Sequence, residues 1–288
     1  MTTKLTAAPT ADAVPNATDS PVSMLTAESR MATGMAQNHG ALAESPSFAP
    51  GKTLWRSAGF SHPGHVRRRN EDAWLSVPDQ GLWLVADGMG GHDQGDYASQ
   101  AIVDALSRMD RPETLDSFVN QVRTHLFEVN RELHERARKL GEQACIGSTV
   151  VALLAHGMRC ACVWAGDSRL YLMRGGNLFQ VTQDHTLERR WLEQGHCPEE
   201  VAQRPKRHAL TQAVGVGPGL QLEMRTFSVE SGDMLLLCSD GLYRELEPEE
   251  VSILLGLTNP EYVATALQAH GLGRPARDNL TAVVVAVS

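Results

Sequence analysis

Four aspartates lie where short apolar runs meet polar or glycine-rich sequence: Asp87, Asp167, Asp240 and Asp278. The ends of strands hold such side chains on a rigid scaffold and can aim them at a shared point. Carboxylates brought together repel one another unless they are protonated or neutralised by cations, and oxygen ligands suit hard ions such as Mg²⁺ or Mn²⁺. The pattern therefore predicts an acidic pocket that holds divalent cations.

Each aspartate also has a simpler interpretation. Asp87 and Asp240 each precede glycine, and an Asp-Gly pair at a strand end is often only a turn. Asp167 could cap a hairpin, and Asp278 could pair with a neighbouring arginine, Arg274 or Arg277. Turn formation explains any one of them more easily than it explains the whole set.

Short apolar runs predict the strands that must position these residues, and spacings of three and four predict the helices. The predicted strands are Leu82–Ala86, Thr149–Leu154, Cys160–Ala165, Leu170–Arg174, Met234–Cys238 and Leu280–Val287. The predicted helices are Gln94–Met109, Leu115–Leu140 and Pro248–His270, with a loop over Gly271–Asp278. Gly166–Arg169 is interpreted as a hairpin connection, and a second turn follows at Gly175–Asn177. Antiparallel strands with separate helical stretches indicate an α+β fold.

Composition divides the chain. Residues 1–50 are rich in Ala, Thr, Ser, Pro and Met without a helical or strand period, which predicts a disordered leader ahead of one domain over residues 51–288. We find no secretory signal and no membrane span. The net charge of −8 argues against general nucleic-acid binding. Residues 183–217, with scattered charges and a glycine-rich VGVGPG stretch, are predicted to form a flap beside a site.

The five cysteines are odd in number and lack CxxC spacing, which favours buried thiols in a reducing cytoplasm. Cys160 and Cys162 would share one strand face. Since no second Cys/His pair lies nearby, we interpret them as packing residues rather than metal ligands.

Eight motifs in order resemble the type 2C family of metal-dependent serine/threonine protein phosphatases, in its bacterial stand-alone form, over about residues 55–288. The motifs are RRRNEDA (67–73), VADGMGGHDQGDYAS (85–99), IGSTVVALL (146–154), WAGDSRLYLMRGG (164–176), TQDHT (182–186), LTQAVG (210–215), CSDGL (238–242) and RDNLTAVVV (277–285). The resemblance implies two stacked antiparallel β-sheets flanked by helical layers, with the metal site at one end.

The same resemblance assigns roles to residues. Asp87 would bridge two metal ions and the Gly88 carbonyl would bind one of them. Asp240 and Asp278 would complete the shell of the other ion, and Asp167 would bind a third ion shared with Asp240. Glu71 and Asp72 would hold metal-bound waters. The cofactor would be Mn²⁺ or Mg²⁺, with two core ions and a third.

The implied reaction is hydrolysis of phosphoserine and phosphothreonine by a water that the metal ions activate. Arg67 matches the arginine that grips the phosphate with a planar fork of donors. Met89 stands where eukaryotic members often carry a histidine proposed as the general acid. The proton donor is therefore left open between a metal-bound water and His62, His65 or His92, each of which also has a structural interpretation.

The resemblance further implies phosphoprotein substrates, a cognate bacterial Ser/Thr kinase, a cytoplasmic location and a monomer without nucleic-acid or membrane partners. Two other classes of function compete. A pseudo-phosphatase would keep the fold only to bind a partner, but it would usually have lost ligands that this chain retains. A two-metal phosphodiesterase fits the carboxylates, but it fits the acidic net charge poorly.

Overall fold

The computed structural model describes residues 55–90, 94–141 and 143–288. The predicted leader, residues 1–50, lies outside the described residues, as do Gly91 and His92. None of the helices in these three ranges combines the length and the apolar character that a membrane crossing requires.

The strands of the structure form two antiparallel sheets. The strands are β1 (Trp55–His62), β2 (Asp72–Val77), β3 (Leu82–Gly90), β4 (Ile146–Ser148), β5 (Val150–His156), β6 (Arg159–Ala165), β7 (Arg169–Arg174), β8 (Asn177–Gln180), β9 (Glu223–Ser228), β10 (Met234–Cys238) and β11 (Leu280–Val287). One sheet has the order β1-β11-β10-β7-β8, and the other has the order β2-β3-β5-β6-β9 with β4 paired to β3.

The helices are α1 (Gly95–Ser107), α2 (Leu115–Leu140), α3 (Leu187–Glu193), α4 (Pro198–Gln203), α5 (Asp240–Tyr243), α6 (Pro248–Leu255) and α7 (Pro260–Leu272). α1 and α2 cover the outer face of one sheet, and α6 and α7 cover that of the other. α2 begins at a capping box formed by Thr114 and Ser117, which satisfies backbone donors of its first turn.

Three apolar layers hold the sheets and helices together. Between the sheets, Trp83 and Trp164 of one pack with Leu235 and Val283 of the other. Outside this layer, one core joins α1 and α2 to the sheet of β3, and another joins α6 and α7 to the sheet of β10 and β11. Each fully buried Leu, Val or Phe in these layers stabilises the fold by about 1.5–3 kcal/mol. The resulting order is helix, sheet, sheet, helix.

The predicted hairpin at Gly166–Arg169 is wrong. β6 pairs with β5 and β9, whereas β7 pairs with β10 and β8, so this connection crosses from one sheet to the other. Gly166 makes the crossing with φ of +112°, and a Cβ there would lie 2.6 Å from the Thr149 side chain. The turn at Gly175–Asn177 does join a hairpin, because Arg174 is opposite Asn177.

The predicted single helix over Pro248–His270 is also wrong. The chain leaves α6 after Leu255 and starts α7 at Pro260. Asn259 caps α7 by accepting a hydrogen bond from the Tyr262 N–H at 3.0 Å, and Thr258 has a positive φ of 61°. The cap and the proline at the first helical position mark a new helix start, which the apolar spacing concealed.

Candidate metal and phosphate site

The four predicted aspartates meet at one edge of the two sheets. Asp87 lies near the end of β3, and Asp167 follows β6 in the same sheet. Asp240 begins α5 directly after β10, and Asp278 lies just before β11 in the opposite sheet. All four line a single open cavity of about 300 Å³, together with Arg67, Glu71 and Gly88. The predicted set is therefore brought together by strands from both sheets.

Asp87 occupies the most crowded electrostatic position in this cavity. Burial raises its pKa well above the usual range of an aspartate, and Asp72, Asp240, Asp167 and Asp278 raise it further. Asp72 is directly opposite Asp87 in the β2–β3 register. Negative charge gathered in this way is stable when cations neutralise it.

Asp72 lies behind the cavity. Its Oδ2 accepts a hydrogen bond from the Ser239 hydroxyl at 2.7 Å, whereas its buried Oδ1 has no hydrogen-bond partner in the structure. Burial raises the pKa of Asp72 to about 7. A buried carboxylate oxygen without a partner is a position that an ordered water can fill.

Glu71 contributes to the cavity wall and to the backbone around Gly88. The Glu71 carbonyl accepts from the Gly88 N–H at 3.1 Å and from the Ser99 hydroxyl at 2.6 Å. A Cβ on Gly88 would lie 2.0 Å from the Gly95 carbonyl oxygen, so β3 can approach α1 this closely only with glycine at that position. Burial raises the pKa of Glu71, and Arg67 partly opposes this shift.

Asn279 joins the two ends of the site. Its side-chain oxygen accepts from the Glu71 N–H at 2.8 Å, and its side-chain nitrogen donates to the carbonyls of Arg69 at 2.9 Å and Pro63 at 3.1 Å. The Asn279 N–H donates to Asp278 Oδ1 at 2.9 Å. One buried amide therefore fixes the loop that carries Arg67 against the loop that carries Asp278.

Two arginines supply positive charge inside the cavity. Arg67 Nη2 donates to Asp278 Oδ2 at 2.8 Å, and about half (53%) of the Arg67 side chain remains exposed. Arg244 Nη1 pairs with Asp240 Oδ2 at 2.8 Å, and its Nη2 reaches Asp167 Oδ2 at 3.5 Å. The sequence reasoning missed Arg244, although its position four residues after Asp240 in CSDGLYR could have indicated a pair on one helical turn.

His208 is a second cavity residue that the sequence reasoning missed. It is contributed by the 183–217 segment, and Leu210 of the same segment also lines the cavity. His208 Nε2 accepts from Arg207 Nε at 2.9 Å, while Nδ1 lies 3.3 Å from Glu188. Burial, then Arg244 and Arg207, lower its pKa. No local motif marks this histidine, because its position depends on how the segment folds back.

Two of the three histidines predicted as candidate proton donors, His62 and His65, lie outside the cavity. His62 Nδ1 accepts from the Gly64 N–H at 3.0 Å, and His65 Nε2 contacts the Leu272 carbonyl at 2.9 Å. Neither belongs to the cavity lining. His92 is outside the described residues.

The oxygen donors that line the cavity are of a kind that suits divalent cations. In the described part of the chain, no three Asp, Glu, His or Cys side chains already form a group that could hold a metal ion. Arg67 and Arg244 instead pair with Asp278 and Asp240. All four aspartates nevertheless share one cavity, and burial raises the pKa values of Asp87, Asp167 and Asp240, as is common at functional sites. Asp87, Asp240, Asp278 and the Gly88 carbonyl are oxygen donors of the kind that Mn²⁺ and Mg²⁺ take.

Comparison with known sequences identifies the family. The sequence profile of Protein phosphatase 2C matches residues 61–268. The chain belongs to this family.

Solved and curated proteins place the chain among bacterial members of the protein phosphatase 2C family. It is 33% identical over 237 residues to the serine/threonine protein phosphatase PstP of Mycobacterium tuberculosis, a match that covers 81% of this chain and 45% of PstP. The chain thus spans about half the length of that curated relative.

Solved structures resemble this chain over most of its length. PppA, described as a key regulatory component of T6SS in Pseudomonas aeruginosa, superimposes with a TM-score of 0.76 at 42% identity over 81% of this chain and 98% of PppA. The catalytic domain of PstP in complex with two manganese ions superimposes with a TM-score of 0.70 at 30% identity over 81% of this chain and 97% of that domain. These matches confirm the predicted fold of two stacked antiparallel sheets with flanking helices.

Proposed function

We propose that this chain hydrolyses phosphoserine and phosphothreonine in proteins, using divalent cations held by Asp87, Gly88, Asp240 and Asp278. The observation that carries the proposal is the shared cavity, which collects these residues and Arg67 at one edge of a protein phosphatase 2C fold. The manganese ions of the PstP catalytic domain support the choice of metal. When bound, such ions activate water and neutralise charge on phosphate oxygens.

The residues of the chain would then divide the remaining work. Arg67 stands at the mouth of the cavity with half of its side chain exposed, so a phosphate can reach its guanidinium. Asn279 holds the Arg67 loop and the Asp278 loop in one relative position. Glu71 and Asp72 would accept hydrogen bonds from ordered water next to Asp87. Opposition to a bacterial Ser/Thr kinase is the role that this activity would serve.

The 183–217 segment is the proposed flap. A bridge between Thr186 and Leu210 joins two parts of the segment to each other, and a bridge from Val214 to Ser148 connects it to β4. His208 and Leu210 bring it to the cavity, where a substrate protein would contact it. The neutral His208 next to Arg207 and Glu188 would be a substrate contact rather than a charged acid.

The test is release of inorganic phosphate from a phosphothreonine peptide by the purified chain, with Mn²⁺ and with EDTA. We expect turnover only with the metal, and loss of at least about 10²-fold in kcat for Asp87→Asn and for Asp240→Asn, since each removes a carboxylate on which charge stabilisation depends. Asp104→Asn, an exposed residue on α1, is the matched control and should turn over normally. Equal turnover of all four proteins at saturating Mn²⁺ would disprove the metal assignment. Faster cleavage of a phosphodiester than of the peptide would favour a phosphodiesterase instead.

A further inference from the structure

The position expected for a third ion already contains a cation. Arg244 contacts Asp240 at 2.8 Å through Nη1 and Asp167 at 3.5 Å through Nη2, so one guanidinium bridges the two carboxylates. These are the two residues that the family resemblance assigns to the third ion. A metal shared by Asp167 and Asp240 would have to occupy the space in which the Arg244 nitrogens lie.

The surroundings of Arg244 favour its position between Asp167 and Asp240. It follows α5 directly, and its N–H donates to the Asp240 carbonyl at 3.0 Å, so the helical turn carries the side chain back toward the cavity. Asp167 is almost fully buried, with 4% of its surface exposed. A carboxylate this deeply buried is stable in its ionised form only beside a positive charge, and Arg244 supplies one.

The other arginine close to Asp167 in sequence has a different partner. Arg169 makes a forked contact with Asp184, at 2.9 Å from Nε to Oδ1 and at 2.7 Å from Nη2 to Oδ2. Its guanidinium also lies over the Tyr243 ring, 3.6 Å from the centroid. Among the described residues, Asp167 forms its ion pair with Arg244.

Arginine remains protonated at any pH at which the protein is folded, so Arg244 cannot give up its charge to admit a metal. Loading a third ion between Asp167 and Asp240 would require the Arg244 guanidinium to leave both carboxylates. From these contacts we propose that Arg244 takes the place of a third metal ion, and that this chain binds two ions where a third would need Asp167. The inference rests on the proposed metal-dependent function.

The roles of the two aspartates then differ. Asp240 would be a metal ligand that also anchors Arg244, whereas Asp167 would position Arg244 and bind no metal. Arg244 donates hydrogen bonds and contributes a single positive charge beside the cavity, but it cannot serve as a Lewis acid. Under this proposal, Asp167 binds no third ion in this chain.

The experiment counts bound Mn²⁺ by calorimetry and by electron paramagnetic resonance titration of the full chain. We expect two ions on the wild type and two on Asp167→Asn with unchanged affinity. Arg244→Met keeps most of the side-chain length without the charge, and it should bind a third ion. That ion should disappear in the Arg244→Met/Asp167→Asn double variant. Arg274→Met, which breaks an exposed pair with Glu250, is the control and should bind two.

Three outcomes would overturn the inference. If the wild type bound three ions and Asp167→Asn bound two, a metal ion would be displacing Arg244 from Asp167. Two ions on a folded Arg244→Met variant would show that Arg244 is not what excludes the third. No Mn²⁺ binding by any protein would overturn the proposed function as well, which separates that failure from the first two.

Discussion

The Thr149 hydroxyl accepts a hydrogen bond from the Asp87 N–H at 3.0 Å, and the Thr149 N–H donates to the Asp87 carbonyl at 2.9 Å. The same hydroxyl lies 2.7 Å from the Ser168 hydroxyl, next to Asp167. One buried side chain therefore connects the backbone of the central aspartate to the loop of another.

Thr149→Val keeps the branched shape of the side chain and removes its oxygen. We expect the free energy of unfolding to fall by about 1–3 kcal/mol, because the buried Asp87 N–H loses its acceptor. Mn²⁺ affinity should fall by about 10–100-fold, as is typical when a group supporting a metal ligand is removed. Chemical denaturation and Mn²⁺ calorimetry measure the two effects. Thr226→Val on exposed β9 is the control, and an equal loss there would contradict a specific role for Thr149.

Arg67→Ala should raise the KM for a phosphothreonine peptide by about tenfold or more, because a charge-assisted hydrogen bond is worth about 1.5–3 kcal/mol. Arg67→Lys should recover only part of the loss, since an ammonium cannot present a planar fork. Steady-state kinetics on one peptide suffices. Arg68→Ala, the exposed neighbour, should leave KM within about twofold of the wild type. If both alanine variants raised KM equally, general positive charge rather than a specific grip would be the explanation.

Stability without metal should depend on pH in an unusual direction. The pKa values of Asp72 and Asp167 are raised to about 7, mainly by burial, and burial also raises the pKa of Asp87 well above its usual range. The folded state therefore holds these protons more tightly than the unfolded chain, so this contribution to stability falls as pH rises from about 4 to about 7. In EDTA, the melting temperature of the wild type should decline over this range relative to Asp72→Asn.

Manganese should remove that decline, because binding to the ionised carboxylates stabilises the folded state by about 2.7 kcal/mol at a concentration one hundred times the Kd. For a domain of this size, about 1 kcal/mol shifts the melting temperature by about 2–4 °C. Differential scanning calorimetry in EDTA and in Mn²⁺ measures the melting temperature under each condition. A wild-type melting temperature that rises from pH 5 to pH 7 in EDTA in parallel with Asp72→Asn would refute the shifted pKa values.

The cysteines should separate into two classes. Burial raises the pKa of Cys160 and of Cys238 to about 12 and raises that of Cys162 as well, whereas Cys145 and Cys197 are exposed. The expectation of buried thiols thus holds for only part of the set. At pH 8, a colorimetric thiol reagent should modify two cysteines in the native protein and all five after denaturation. Modification of Cys160 or Cys162 in the native state would contradict their packing between the sheets.

Strands buried on both faces were readily predicted from the sequence. β3, β5, β6, β7, β10 and β11 are continuous apolar runs, and each lies within a few residues of its predicted bounds. β1, β2, β8 and β9 were missed because they are partly exposed and carry polar or charged residues at intermediate positions. Sheet membership was harder still, because nothing in Gly166–Arg169 distinguishes a hairpin from a crossing between sheets.

In the candidate site, too, some residues could be predicted from the sequence and others could not. The strand-end aspartates could be identified because a carboxylate next to an apolar run is easily recognised in the sequence alone. The spacing of Arg244 after Asp240 could have indicated their pair, but its contact with Asp167 depends on where a four-residue helix places it. His208 has no such local signal, because a folded-back segment brings it to the cavity.

The cavity unites residues that are distant along the chain: Arg67 and Asp278 are 211 positions apart, and the amide of Asn279 closes the gap between their loops. Arg67 is synthesised long before Asp278 and Asn279. During synthesis, the chain therefore cannot assemble the edge that carries the four aspartates until β11 has emerged to pair with β1. A chain that stops before Asp278 would contain most of the residues of the domain but would lack Asp278, Asn279 and β11.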